Sequence, residues 1–242
     1  MRRVSLITDS RHYVGPALAR VLAGRSHDLV LVDPIDGLVD ELIALGAAVE
    51  ALPAGADDRA AFDSMVAASI DRFGRLDSAS LFSGRVITGR FLDSSVDDLR
   101  AVTAGCIETP YHFLSAVLPP MIERGEGQVL VFTSATAARP TPGAPLYSAA
   151  RAGATHLVRN VAHEVARHGV SVNAIGTNFM DFPEFRQASG YDASDEMRER
   201  YHREIPLGRL GTMSELAAMA APFLDGTTTF QTGVFVPYAG GW

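Results

Sequence analysis

Short apolar runs alternate with segments whose apolar residues recur at helical spacing along nearly the whole chain, and few architectures accept that rhythm. Val4 to Ile7 is followed by turn-type residues and then by Val14 to Leu22, where Val14, Leu18, Val21 and Leu22 share one helical face. The same unit returns as a strand over Asp28 to Val32 with a helix over Leu38 to Leu45. It returns again as a strand over Val49 to Leu52 followed by Phe62, Met65, Val66, Ile70 and Phe73 at helical spacing. Strands over Asp77 to Phe82, Val129 to Phe132 and Ser171 to Ile175 follow, with helices around Val96 to Val117, Ala149 to Arg167 and Ser214 to Leu224 between and after them. A last apolar run covers Gly233 to Val236. Parallel strands need crossover connections, and helices of these lengths supply them. The expected class is α/β: a doubly wound parallel sheet with helices on both faces, in a single domain over residues 1–242. No internal repeat or linker divides it. Arg139 to Pro145 reads as a loop, and Asp181 to Asp195 as a mobile excursion.

Composition narrows the function classes. A net charge of -7 with Arg spread thinly along the chain excludes a nucleic-acid role, because phosphate binding needs clustered cations. No stretch approaches the roughly 18 apolar residues needed to span a bilayer. No signal-length apolar run follows Met1, Arg2 and Arg3, and the lone Cys106 has no intrachain disulfide partner, so a cytoplasmic protein is expected. Cys106 reads as a small buried hydrophobe. No cluster of His, Cys and carboxylates has metal-ligand spacing.

In a doubly wound sheet, ligands sit beyond the carboxyl ends of the strands. The first such turn runs Thr8-Asp9-Ser10-Arg11-His12-Tyr13-Val14-Gly15, where a dinucleotide-binding enzyme carries glycines that let backbone N–H groups approach a pyrophosphate. A carboxylate at Asp9 repels a diphosphate and the Tyr13 ring takes up cofactor volume, so no cofactor is expected. Two other readings stand beside this one. The loop is degenerate but functional, which Asp33 supports, since it lies 18 residues after Gly15, about where an acidic residue holds an adenosine ribose. Alternatively, Asp33 before Pro34 only makes a turn, and Tyr13 is a core aromatic on the first helix.

The fifth strand ends at Ser134; Tyr147 follows 13 positions later and opens a helix, with Arg151 four beyond on the same helical face. This spacing resembles that of the short-chain dehydrogenases, whose fold is Rossmann-like and whose Ser and Tyr are followed by Lys where Arg151 stands. Those enzymes also have glycine at the positions of Asp9, Tyr13 and Gly15, and asparagines where Leu81 and Phe82 stand. With Thr8, Tyr13 and Gly15, the Ser134, Tyr147 and Arg151 pattern looks like the halohydrin dehalogenases, a cofactor-independent offshoot of the same fold. Ile175 to Met180, Pro206 to Leu210 and Gly240 to Trp242 extend the resemblance over nearly the whole chain.

The resemblance implies a carbon–halide lyase. Tyr147, its pKa lowered by Arg151, removes the hydroxyl proton of a vicinal haloalcohol held by Ser134, and the alkoxide closes an epoxide. Halide leaves into a pocket formed by Tyr13, Thr177, Asn178, Phe179 and Met180, with Thr177 departing from the proline common in that family. Small anions such as azide, cyanide or nitrite open the epoxide in reverse. Phe82, Thr136 and Leu146 are placed at the substrate pocket by location, and Trp242 by the tails of similar proteins, which reach a neighbouring subunit's site in a homotetramer; a frayed terminus is the competing reading. Helices over Ser95 to Val117 and Tyr147 to Arg167 are the usual oligomer faces. An NAD(P)-dependent reductase with an atypical cofactor loop is the alternative, and a non-enzymatic regulator the third reading.

Overall fold

The computed structural model describes residues 2–84 and 86–242, so Met1 lies outside the described residues. Its strands are β1 (Arg3–Ile7), β2 (His27–Val32), β3 (Val49–Leu52), β4 (Ser78–Phe82), β5 (Gly127–Ser134), β6 (Val170–Thr177), β7 (Met180–Asp181), β8 (Gly211–Thr212) and β9 (Phe235–Tyr238). Among the described residues, seven of these form one all-parallel sheet in the order β3-β2-β1-β4-β5-β6-β9, and β7 pairs with β8 apart from it. The fold is a single α/β domain. Strand order reverses beside β1, with β2 on one side and β4 on the other. The carboxyl ends of β1 and β4 therefore part around a crevice.

The helices are α1 (Gly15–Gly24), α2 (Leu38–Ala44), α3 (Arg59–Phe73), α4 (Val96–Thr103), α5 (Thr109–Arg124), α6 (Pro145–Val165), α7 (Pro183–Ser189), α8 (Asp195–Glu204) and α9 (Met213–Ala220). Strand periodicity sorts the core. Along β5, Val129 and Val131 face a layer containing Phe62, Phe113, Val117 and Met121, whereas Leu130 and Phe132 face a layer containing Leu18, Leu22 and Leu216. Burying each such side chain contributes roughly 1.5–3 kcal/mol, so this strand alone anchors both layers.

Two sequence expectations change. The helix expected around Val96 to Val117 runs on to Arg124 but passes through a π-turn at Ala104–Glu108. Pro110 has no N–H to continue the ladder, and Thr109 donates its hydroxyl to the Ala104 carbonyl at 3.2 Å across the widened turn. The segment expected to be a mobile excursion is β7, α7 and the start of α8. The Arg186 guanidinium fastens it, donating to both oxygens of Asp181 at 2.5 and 2.9 Å and to Asp192 at 2.9 Å. Among the described residues, no helix is long and apolar enough to cross a membrane.

Candidate active site

Ser134 ends β5, where the chain leaves the sheet for a tight turn over Ala135–Ala137. Its Oγ accepts from the Thr136 backbone N–H at 3.2 Å and the Thr136 hydroxyl at 3.0 Å, and donates to the Thr177 carbonyl at 3.4 Å. β6 is in register, with Ser134 opposite Thr177, so the turn after β6 lies beside this serine. Tyr147 sits in the first turn of α6, which Pro145 starts with its fixed φ. One turn on, Arg151 places its guanidinium over the Tyr147 ring, 5.1 Å from the centroid.

Arg151 is only 1% exposed. Its Nη2 donates to the carbonyls of Ser83 and Gly84, while Nε and Nη1 have no partner among the described residues. A buried cation without a carboxylate is costly by itself. Carbonyl dipoles and the ring face offset part of that cost, and the remaining positive field favours negative charge at the neighbouring oxygen atoms. The chain contains no lysine, so no other long-chain cation of the ammonium type stands in for Arg151.

These residues border a cavity of about 250 Å³ whose wall is mainly apolar. Ser134, Tyr147, Thr136, Tyr13, Phe82, Thr177, Asn178, Phe179 and Met180 all line it, as expected from the sequence; Arg151 lies behind Tyr147. Leu146 does not. It is adjacent to Tyr147 on a helix, so its side chain turns away, toward Ile87 and the α4 side, where it borders a separate cavity. Trp242 also stays out of the cavity wall. Its ring meets Phe179 of the same chain edge to face at 5.5 Å and carries the Arg139 guanidinium at 4.5 Å, so it buttresses the pocket from behind and the terminus is not frayed.

Phe182 and Phe185, which line the cavity, were not expected from the sequence. Their three-residue spacing from Phe179 was the available signal, hidden inside a polar stretch read as an excursion. Phe179 holds a left-handed backbone at φ 54°, as does Tyr13 at φ 50°, so two non-glycine residues in uncommon conformations face the same cavity.

The first turn is occupied by its own side chains. The Asp9 carboxylate accepts from the N–H groups of Arg11 at 3.0 Å and His12 at 2.9 Å, which are donors a diphosphate would need. Tyr13 stacks on Phe82 at 4.3 Å, meets Phe132 and Phe182 edge to face, and shares a hydrogen bond with the Thr177 hydroxyl. Burial pushes the Tyr13 phenol well above its ordinary range; the Thr177 bond and the Arg151 charge offset only part of this. Tyr13 therefore stays protonated. A Cβ at Gly15 would lie 1.8 Å from the Asp9 carbonyl oxygen, so this glycine serves the packing of α1 against the turn. Only about 10 Å³ remains between Asp9, Gly15, Ser80 and Phe82, and Asp33 is paired with Arg11 at 2.9 Å. In this arrangement the turn does not fit a nicotinamide dinucleotide. Among the described residues, no group of three His, Cys, Asp or Glu side chains is placed to hold a metal.

The family described as enoyl-(acyl carrier protein) reductase matches residues 10–242. Oxidoreductase UcpA of Salmonella typhimurium is 29% identical over 238 residues, which cover 96% of this chain and 90% of UcpA. The crystal structure of levodione reductase is 27% identical and superimposes with a TM-score of 0.88, covering 99% of this chain and 96% of its own. A solved structure described as a dehalogenation enzyme is 26% identical, with a TM-score of 0.87 over 100% of this chain and 98% of its own. The expectation of a cofactor-independent carbon–halide lyase is corrected here, because the matching family and most of these relatives are named for redox chemistry. That expectation rested on Asp9 and Tyr13 in place of glycines, Arg151 in place of lysine, and Leu81 and Phe82 in place of asparagines, which change the site without changing the family around it. The chain belongs to the short-chain dehydrogenase/reductase family, in the group described as enoyl-(acyl carrier protein) reductase.

Proposed function

We propose that this chain is an oxidoreductase-class enzyme that exchanges a proton with the oxygen of a small, largely apolar alcohol or carbonyl compound. The observation that carries the reading is the convergence of Ser134, Thr136 and Tyr147 on one apolar cavity, with Arg151 buried behind the tyrosine ring. The Ser134 hydroxyl, held by the two Thr136 donors, turns its one hydrogen from the long 3.4 Å contact with the Thr177 carbonyl to the substrate oxygen. The Tyr147 hydroxyl gives or takes the proton, and the Arg151 field favours whichever state carries negative charge on oxygen. The aromatic wall of Tyr13, Phe82, Phe179 and Phe182 favours an apolar substrate body.

The names of UcpA and levodione reductase support redox interconversion as the reaction class. Nicotinamide dinucleotide is the hydride carrier that class implies. The first turn does not fit it as folded, so turnover with it requires this turn to open, and the residues of this chain described above are assigned substrate binding and proton transfer alone.

The test is turnover of small secondary alcohols and the matching ketones with each of the oxidised and reduced nicotinamide dinucleotides, followed by absorbance and by product mass. Turnover that falls about 100-fold or more in Tyr147→Phe supports the reading. Equal turnover in Tyr147→Phe removes this tyrosine from the chemistry, and no turnover with any nicotinamide removes the redox class.

We also propose that copies associate through α4 and α5. Val96, Leu99 and Tyr111 are exposed apolar side chains there, with Phe91 and Leu92 just before them. Light scattering of wild type and Leu99→Asp checks this, with a smaller particle expected for the variant.

A further inference from the structure

Among the rings that wall the Ser134 and Tyr147 cavity stands a polar feature, the hydrogen-bonded hydroxyls of Tyr13 and Thr177. Thr177 ends β6 directly opposite Ser134, so the two side chains leave adjacent parallel strands on the same face, from backbones ~4.8 Å apart. Both line the cavity, and Thr177 is only half-buried, so a ligand there meets it.

This pair has a hydrogen to spare. Burial keeps the Tyr13 phenol protonated and a threonine hydroxyl carries its own proton, so two O–H groups meet two oxygens. Their mutual hydrogen bond uses one of the two hydrogens. Neither oxygen has another hydrogen-bond partner among the described residues, so one O–H and the remaining lone pairs are unmatched. The neighbouring rings of Phe82, Phe132 and Phe182 offer no comparable acceptor. Polar groups in such surroundings are nearly always satisfied, and the partner for this donor comes from the cavity that it borders.

Ser134 and Tyr147 address one substrate oxygen. A second oxygen on the adjacent carbon falls on the Thr177 side, where a hydroxyl serves it as donor or acceptor. An otherwise identical compound without that oxygen leaves the donor unmatched, and a site built to hydrogen-bond a hydroxyl discriminates against the analogue lacking it. Thr177 belongs to the central sheet, so it keeps its place when the turn carrying Tyr13 opens, and its hydroxyl is then free in both roles. Resting on the alcohol–carbonyl reading above, we infer that the substrate carries a second oxygen next to the reacting one, as a vicinal diol or α-hydroxy ketone, and that Thr177 selects it.

The probes are 1-phenyl-1,2-ethanediol and 1-phenylethanol, which differ by one hydroxyl. Dissociation constants for the full chain are measured by ligand-observed saturation-transfer NMR without nicotinamide, for wild type, Thr177→Val and Tyr13→Phe. Thr177→Val is expected to weaken diol binding at least about 5-fold and to bind the mono-alcohol as well as wild type does. Tyr13→Phe keeps the Thr177 hydroxyl and is expected to keep the preference for the diol. Thr177→Ala removes the same hydroxyl and takes the place of the valine variant if that does not fold. Unchanged diol affinity in Thr177→Val overturns the proposal, as does an equal loss for both compounds, which marks a merely structural role. Loss of the preference in Tyr13→Phe assigns selection to Tyr13 and overturns the role of Thr177, and binding of neither compound to wild type overturns the substrate class. Because binding is read without nicotinamide, a failed redox assay and an unchanged diol preference are separate results: the first removes the redox class, the second removes this inference alone.

Discussion

The Tyr13 ring lies on the Phe82 ring, centroids 4.3 Å apart and planes 24° from parallel, across the crevice where β1 and β4 diverge. One ring comes from the loop that would hold a diphosphate, the other from a strand end that borders the substrate cavity. The stack therefore joins two regions that are separate in an enzyme whose nucleotide lies between them.

Opening this stack should restore nucleotide affinity only if the backbone donors are released as well. Asp9→Gly frees the Arg11 and His12 N–H groups, and Tyr13→Gly removes the ring at a φ of 50° that glycine adopts without cost. The double variant is expected to bind NADH at least about 10-fold more tightly than wild type, each single variant much less, by fluorescence titration. Tight NADH binding by wild type would show that the turn opens unaided.

Gly84 sets the distance between Arg151 and the strand end. Its φ is 88°, and a Cβ there would lie 2.6 Å from Cys106 Sγ, 3.0 Å from the Gly105 carbonyl and 3.2 Å from Arg151 Nη2. Gly84→Ala is expected to cost about 2 kcal/mol or more, because both the backbone and the contacts are strained. The change should also displace the guanidinium from the Tyr147 ring. A urea midpoint that stays at the wild-type value would show that the π-turn around Cys106 yields freely.

His27 predicts an acid-side loss of stability. It is buried, its Nδ1 is bonded to the Ser5 hydroxyl at 2.7 Å, and burial, with the Arg3 charge adding to it, lowers its pKa to about 4. The unfolded histidine titrates near 6.5, so between pH 6.5 and 4 the unfolded chain binds more protons than the folded one. Stability is fully present above 6.5 and falls as pH drops toward 4, by up to about 3 kcal/mol from this residue. Urea midpoints across that window should decline in wild type and decline less in His27→Gln.

How much of the site can be read from the chain differs from residue to residue. β5 is buried on both faces, so its apolar run announces a strand end at Ser134, and helical spacing then brings Tyr147 and Arg151 to one face. Arg151's partners cannot be read that way, because the carbonyls of Ser83 and Gly84 are backbone atoms and any residue type supplies them. Leu146 fails for a local reason: a neighbour of a site residue on a helix points about 100° away from it. The place of Trp242 within its own chain cannot be read either, for a long-range reason, since its contacts with Phe179 and Arg139 depend on where the last loop lands.

The α7 segment is where the reading of a polar stretch as mobile meets its test. Arg186 bridges Asp181 before α7 and Asp192 after it, and the Phe182 and Phe185 rings it brings along close one side of the substrate cavity. The Asp181 carboxyl is held below its usual range by the Arg186 hydrogen bonds, so this fastening is intact above the ordinary aspartate pKa and is lost only as pH falls through the lower folded value. At neutral pH the latch is closed. Arg186→Gln keeps the side-chain length but removes the charge and the bidentate contact. It is expected to leave global stability within about 1 kcal/mol, since these charges are partly exposed. Cleavage by trypsin at Arg198, Arg200 or Arg203, on the adjoining α8, should nevertheless become several-fold faster, because local opening there no longer breaks the latch. Equal cleavage rates in variant and wild type would show that the aromatic contacts of Phe179, Phe185 and Tyr201 hold the segment without Arg186.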